Sequence, residues 1–233
     1  FSLIANTEGQ YNTGLSLYTL LANTTGDSNT ALGYQALTAN TTADDNTAVG
    51  YQALDANTTG YANTAVGRST LGGNTTGVNN TAMGGYDVAG GIGGALQTNT
   101  TGDNNTAYGV GALQANSTAS NNTAVGFNSL LANTTGSENV AVGRLCLDAN
   151  TTGQDNTAIG NAALSGNTTA SNNVAVGSAA LTANTEGTGN TALGNNALDS
   201  NTTGDTNVAI GAVALGANTT GANNTAVGYQ SLD

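Results

Sequence analysis

A seventeen-residue unit, Asn-Thr-Ala-Val-Gly-Tyr-Gln-Ala-Leu-x-Ala-Asn-Thr-Thr-Gly-x-x, opens thirteen times along the chain, at Asn12, Asn29, Asn46, Asn63, Asn80, Asn105, Asn122, Asn139, Asn156, Asn173, Asn190, Asn207 and Asn224. Every step is 17 residues except that from Asn80 to Asn105, which is 25. A unit this short cannot enclose a core of its own, so each copy must cover its apolar side with the next. The expected architecture is all-β: a parallel β-solenoid of 13 coils of 17 residues, forming one repeat domain over residues 1–233. Function in such a body is carried on a surface rather than in a pocket.

Helix is disfavoured because no 3.6-residue apolar period survives and glycine recurs in every unit. The chain has no proline, as expected where backbone amides are needed for ladders between coils. Alternation at positions two to four, as in Thr47-Ala48-Val49, predicts one short strand per coil, and the Ala53-Leu54 region predicts a second. Position nine is leucine in every copy and position four is always large and apolar, so these two columns are the expected core. Position three is alanine in all but the first copy, where it is Gly14, which predicts a close approach on that side. Glycine at position five, from Gly33 to Gly228, suits a turn with positive φ or a close backbone contact.

Asparagine fills positions one and twelve of every complete unit, and its stacked amides predict ladders at the coil corners. The same template makes Asn23-Thr24-Thr25 and its copies match the N-glycosylation sequon, a match that the repeat generates automatically.

The formal net charge is -12, from 14 acidic residues against Arg68 and Arg144, with no lysine or histidine. Two arginines are too few to neutralise a run of phosphates, so no nucleic-acid partner is expected, and anionic membrane surfaces are disfavoured. No stretch approaches the ~20 apolar residues of a membrane span. One cysteine, Cys146, stands where other copies carry alanine or serine and reads as a small buried residue. No nucleophile–base pair, metal cluster or cofactor motif can be assembled from these residues, so no enzyme, no catalytic or metal residue and no cofactor is expected. The densest acidic point, Asp44-Asp45, reads as a solvated turn.

The cores Asn139-Val-Ala-Val-Gly143, Asn173-Val-Ala-Val-Gly177 and Asn207-Val-Ala-Ile-Gly211 resemble the Val-Ala-Ile-Gly repeat of trimeric autotransporter adhesin heads. The whole unit also resembles repeats of bacterial and phage tail-fibre-like proteins. The resemblance covers essentially the full chain and implies a left-handed β-roll, a homotrimer, and a place on a cell surface or virion tail. The adhesin repeat is shorter than this one, and no coiled-coil heptads follow here.

Two features could carry binding. Eight extra residues lie within 85–94, where Tyr86 and Asp87 are candidate partner contacts, because solenoid insertions map to loops on one face. Position six varies beside fixed neighbours, and its Tyr34, Tyr51, Phe127 and Tyr229 could stack on a glycan or cover a chain boundary. The leading expectation is a structural and adhesive segment of an extracellular fibre, its partners being further copies of itself and a cell-surface glycan or matrix. An ice-binding protein using threonine ladders such as Thr24-Thr25 is a second reading, and a filament stacking head to tail is a third. Phe1 and Asp233 both cut the repeat mid-unit, which suggests a piece of a longer fibre.

Overall fold

The computed structural model describes residues 1–232. The chain divides into two compact units, Phe1–Asn121 and Asn122–Asp233. In the first, six strands occupy consecutive copies: β1 (Thr13–Leu15), β2 (Thr30–Leu32), β3 (Thr47–Val49), β4 (Thr64–Val66), β5 (Thr81–Met83) and β6 (Thr106–Tyr108). The second holds β7 (Thr123–Val125), β8 (Val140–Val142), β9 (Thr157–Ile159), β10 (Val174–Val176), β11 (Thr191–Leu193), β12 (Val208–Ile210) and β13 (Thr225–Val227). Within each unit every strand pairs in parallel with its chain neighbours, and equivalent positions face one another, as Thr47↔Thr64, Ala48↔Ala65 and Val49↔Val66 do. Each unit is thus a parallel β-solenoid, and among the described residues there is no helix.

Among the described residues each coil has one strand rather than two. The expected second strand at Ala53-Leu54 is a turn, because Gln52 and Leu54 both take left-handed backbone angles, with φ of 53° and 50°. The same alternation recurs at Gln35 and Leu37 and at Leu145 and Leu147. Left-handed geometry costs an L-residue roughly 1–2 kcal/mol. Complete burial of the leucine side chain, about 1.5–3 kcal/mol, offsets that cost. Single hydrogen bonds still join the coils here: Leu37 N–H donates to Ala53 O (3.1 Å), and Gln52 N–H donates to Tyr34 O (2.9 Å).

Position five is the turn that starts this segment. Gly33 has φ +126°, and a Cβ added to it would strike the Gly50 carbonyl in the next coil. Ala36 N–H closes the turn onto Gly33 O at 3.1 Å.

The core differs from expectation in one respect. Leucine at position nine is inside, and Leu20, Leu37, Leu54 and Leu164 are fully buried. Position four is outside: Leu32 is 43% exposed, Ile159 40% and Leu193 46%. Alanine at position three points inward instead, with Ala31, Ala48, Ala141 and Ala158 fully buried. The alanine column is therefore small because it faces the coil interior, and the close approach that it predicts lies within the coil.

The asparagines complete the interior. Asn40 Nδ2 donates to Asn23 Oδ1 (2.9 Å) and to Ala43 O (3.0 Å), and Asn57 Nδ2 donates in turn to Asn40 Oδ1 (3.0 Å). Position one forms a second ladder, in which Asn46 N–H donates to Asn29 Oδ1 (3.0 Å) and Asn46 Nδ2 to Gly60 O (2.9 Å). These asparagines do not take positive φ; that role falls to positions five, seven, nine and seventeen. Their work is to give buried backbone carbonyls a donor while stacking amide on amide.

Candidate functional site

Position six lies at the second residue of the turn opened by glycine five, which directs its side chain outward. In the first unit this places Tyr34 over Tyr51 in successive coils, the rings stacked at 5.5 Å with 15° between their planes. Tyr18, one position further along its own coil, meets Tyr34 edge-on at 5.8 Å and 71°. Arg68 continues the column: its guanidinium carbon lies 5.4 Å from the centre of the Tyr51 ring and 5.1 Å from that of Tyr86. A cation held against aromatic rings at this distance is favourable by about 0.5–1 kcal/mol at an exposed site.

Tyr86 comes from the insertion, which leaves the coil path at Gly84 and rejoins it at Ala95. Ala95 N–H donates to Gly84 O at 2.9 Å, the same closure that Ala36 makes to Gly33. The solenoid is therefore uninterrupted beneath the excursion. Asp87 and Ile92 form an antiparallel bridge, with Asp87 N–H on Ile92 O at 2.8 Å. The Asp87 carboxylate accepts from Ala89 N–H (3.0 Å), a hydrogen bond that stabilises its own turn. Gly93 N–H ties the returning segment to Gln114 Oε1 at 2.9 Å.

Of the residues singled out in the sequence, Tyr34 and Tyr51 thus belong to one column, and Arg68, at the same repeat position, links it to Tyr86 of the insertion, a contact that the sequence did not foretell. Asp87 lies beside it in the insertion. Phe127 and Tyr229 stand at the same repeat position in the first and last turns of the second unit, 38% and 73% exposed.

Two other outer columns have defined chemistry. Where position sixteen carries an aspartate or serine, the side chain accepts from the backbone of the preceding coil: Asp44 Oδ1 from Asp27 N–H (2.7 Å), Asp205 Oδ1 from Thr188 N–H (2.7 Å) and Ser171 Oγ from Gln154 N–H (2.9 Å). The acidic turn at Asp44 is thus part of an inter-coil ladder, and its signal was the recurrence of Asp and Ser at one column. Threonine at position thirteen is similarly occupied, as Thr24 Oγ1 donates to Thr41 O (3.0 Å) and Thr58 Oγ1 to Thr75 O (3.0 Å). Position fourteen, including Thr25, Thr42, Thr59 and Thr76, is exposed.

No family model, curated protein or solved structure matches this chain. The site must be read from its own chemistry. Cys146 is buried, donates to Ala158 O at 3.1 Å, and burial pushes its thiol up to about 11, which keeps it protonated and unreactive. Among the described residues no group of three acids, cysteines or histidines is disposed to hold a metal, and no helix is long and apolar enough to cross a membrane. A concavity of about 290 Å³ in the last turn is lined by Leu215, Ala217, Asn218, Asn224 and Leu232, none of them ionisable. What remains are surfaces: a stacked aromatic column, an apolar fourth column and a threonine row.

Proposed function

We propose that this protein is a non-catalytic segment of an extracellular fibre, in which copies pack side by side through the fourth-position column and present the sixth-position column to a surface or glycan. The observation that carries the reading is the outward ladder Leu32, Val49, Val66 and Met83 in the first unit, matched by Ile159, Val176, Leu193 and Ile210 in the second. Large apolar side chains repeated at one outer position of each coil, aliphatic but for Met83 and Tyr108, form an apolar stripe, and such stripes mark contact surfaces on soluble proteins. Few charges oppose its burial: the chain has only 7% charged residues. The resemblance to trimeric adhesin heads makes the expected assembly a left-handed homotrimer.

Light scattering of the purified chain tests this directly. The expected result is a mass three times that of the 22.6 kDa chain, collapsing to the monomer when Val66→Asp and Ile159→Asp are combined. A clean monomer for the unmodified chain would overturn the reading.

A second reading is favoured by the threonine row at position fourteen, whose side chains stand exposed at the regular coil spacing. It is that of an ice-binding surface, with Glu186 interrupting the row. Thermal hysteresis in solution, lost on Thr59→Lys, would select it.

A further inference from the structure

The stacked pair in the first unit has a chemistry that neither fibre packing nor glycan contact uses. We propose that Tyr34 and Tyr51 are a site of oxidative cross-linking, joining the second and third turns of the first unit through a dityrosine bond.

The geometry prepares the pair. The rings lie face over face at 5.5 Å and 15°, and the hydrogen bond from Gln52 N–H to Tyr34 O (2.9 Å) fixes their two coils in register directly beneath them. Both tyrosines are open to an oxidant in solution, with 36% and 45% of the residue surface exposed. Holding two reacting groups side by side replaces a bimolecular encounter by an intramolecular one, a gain that reaches effective molarities of about 10⁵–10⁸ M in well-oriented cases. The Tyr18–Tyr34 contact is less suited, because at 71° one ring presents its edge to the other's face. The Arg68 guanidinium, 5.4 Å from the centre of the Tyr51 ring, disfavours positive charge on it, so electron loss is coupled to loss of the phenolic proton to water.

The reaction balances with a peroxide and a haem peroxidase as the external oxidising system. Each tyrosine gives up one electron and its phenolic proton, leaving two neutral phenoxyl radicals. These couple between the ring carbons next to the oxygens, forming one C–C bond. The hydrogen displaced from each coupling carbon returns to the phenol oxygen as the rings become aromatic again. One hydrogen peroxide accepts the two electrons and two protons and leaves as two waters. Bond formation requires the stacked rings to swing toward one another about their side-chain torsions, which exposed side chains do on the ps–ns timescale.

The test treats the full chain with hydrogen peroxide and a haem peroxidase. It uses a mixture of isotopically light and heavy chains, digested afterwards and mapped by mass spectrometry. The expected product is one peptide pair linking Tyr34 to Tyr51, lighter by two hydrogens, always light with light or heavy with heavy, and accompanied by dityrosine fluorescence. Tyr51→Phe and Tyr34→Phe each keep a ring in the column and should each remove most of the fluorescence, whereas Tyr61→Phe should leave it intact. Linkage in mixed light–heavy pairs, fluorescence retained in both column variants, or the absence of dityrosine in the unmodified chain would each overturn the proposal. Intrachain coupling does not depend on trimer formation, so it can hold or fail independently of the fibre reading.

Discussion

The two sides of a single three-residue strand obey opposite rules. On the inside, Ala31, Ala48, Ala65 and every later copy are one residue type, buried throughout, with Gly14 of the first strand as the exception. On the outside, one residue later, the column runs through leucine, valine, methionine, tyrosine and isoleucine, partly or largely exposed. The inner side is fixed by volume: leucine from position nine already fills a narrow interior, and only a methyl group fits opposite. The outer side is fixed by hydropathy alone, so size is free to vary. Constancy therefore marks confinement in this molecule, and variation at constant hydropathy marks a surface that is apolar yet not enclosed.

The sharpest way to break this contrast is to empty the inside. Leu164→Ala should destabilise by about 2–5 kcal/mol, read from thermal or urea melts, because the buried leucine leaves a cavity that two hydrogen-bonded neighbouring coils cannot close. Next in size is the amide ladder. Asn150 Nδ2 donates to Asn133 Oδ1 (2.8 Å) and Gly153 O (3.0 Å), and its own Oδ1 accepts from Asn167 (2.9 Å). Asn150→Ala orphans these buried partners and should cost ~1–3 kcal/mol, with hydrogen exchange rising first in the coils beside it.

On the outside the same kind of change should barely register in stability. Ile159→Asp is expected to shift the melting free energy of the isolated chain by less than about 1 kcal/mol, while lowering the mass seen by light scattering. A large loss of stability there would show that the fourth column is enclosed after all.

The smallest effect lies at position ten. Burial raises the carboxyl of Asp148 above its usual value, only partly countered by backbone hydrogen bonds and by Arg144, and burial raises Asp55 likewise. A carboxyl with a raised folded-state value binds its proton more tightly when folded. Stability should therefore increase as pH falls from neutral through that raised value, and the gain should level off below the unfolded value near 3.8. Asp148→Asn should show a slightly higher melting temperature at neutral pH and a flatter pH dependence, as melts across the acidic range would read.

Much of this was legible in the repeat, and the misreadings have physical causes. A period of 17 with stacked Asn, Gly and Leu columns led directly to parallel coils and amide ladders. The period-2 pattern of Thr47-Ala48-Val49 says that alanine and valine face opposite ways, but not which of them faces in. Assigning the larger residue to the core was the error, and Tyr108 and Met83 in the fourth column were the contrary signal. The missing second strand was hidden because leucine is a poor marker of left-handed backbone. Hints lay in Asn128, Asn196 and Gly111 at position seven, residues that tolerate positive φ. In the candidate site the tyrosines were visible as a recurring column, while the placement of Arg68 between Tyr51 and Tyr86 depends on how the insertion folds back, which no local pattern encodes.

The amide ladder also decides how this chain can be made. Asn40, Asn57 and Asn150 each head an Asn-Thr-Thr triplet, and the nitrogen to which an oligosaccharide would be joined is the one already donating twice inside the coil. A secretory pathway that glycosylates chains as they emerge would place a sugar where only another amide fits. Each such addition would cap the growing stack at that turn. The fold is therefore compatible with synthesis where that enzyme is absent, and expression in a glycosylating host should yield chains that stop short of the native solenoid.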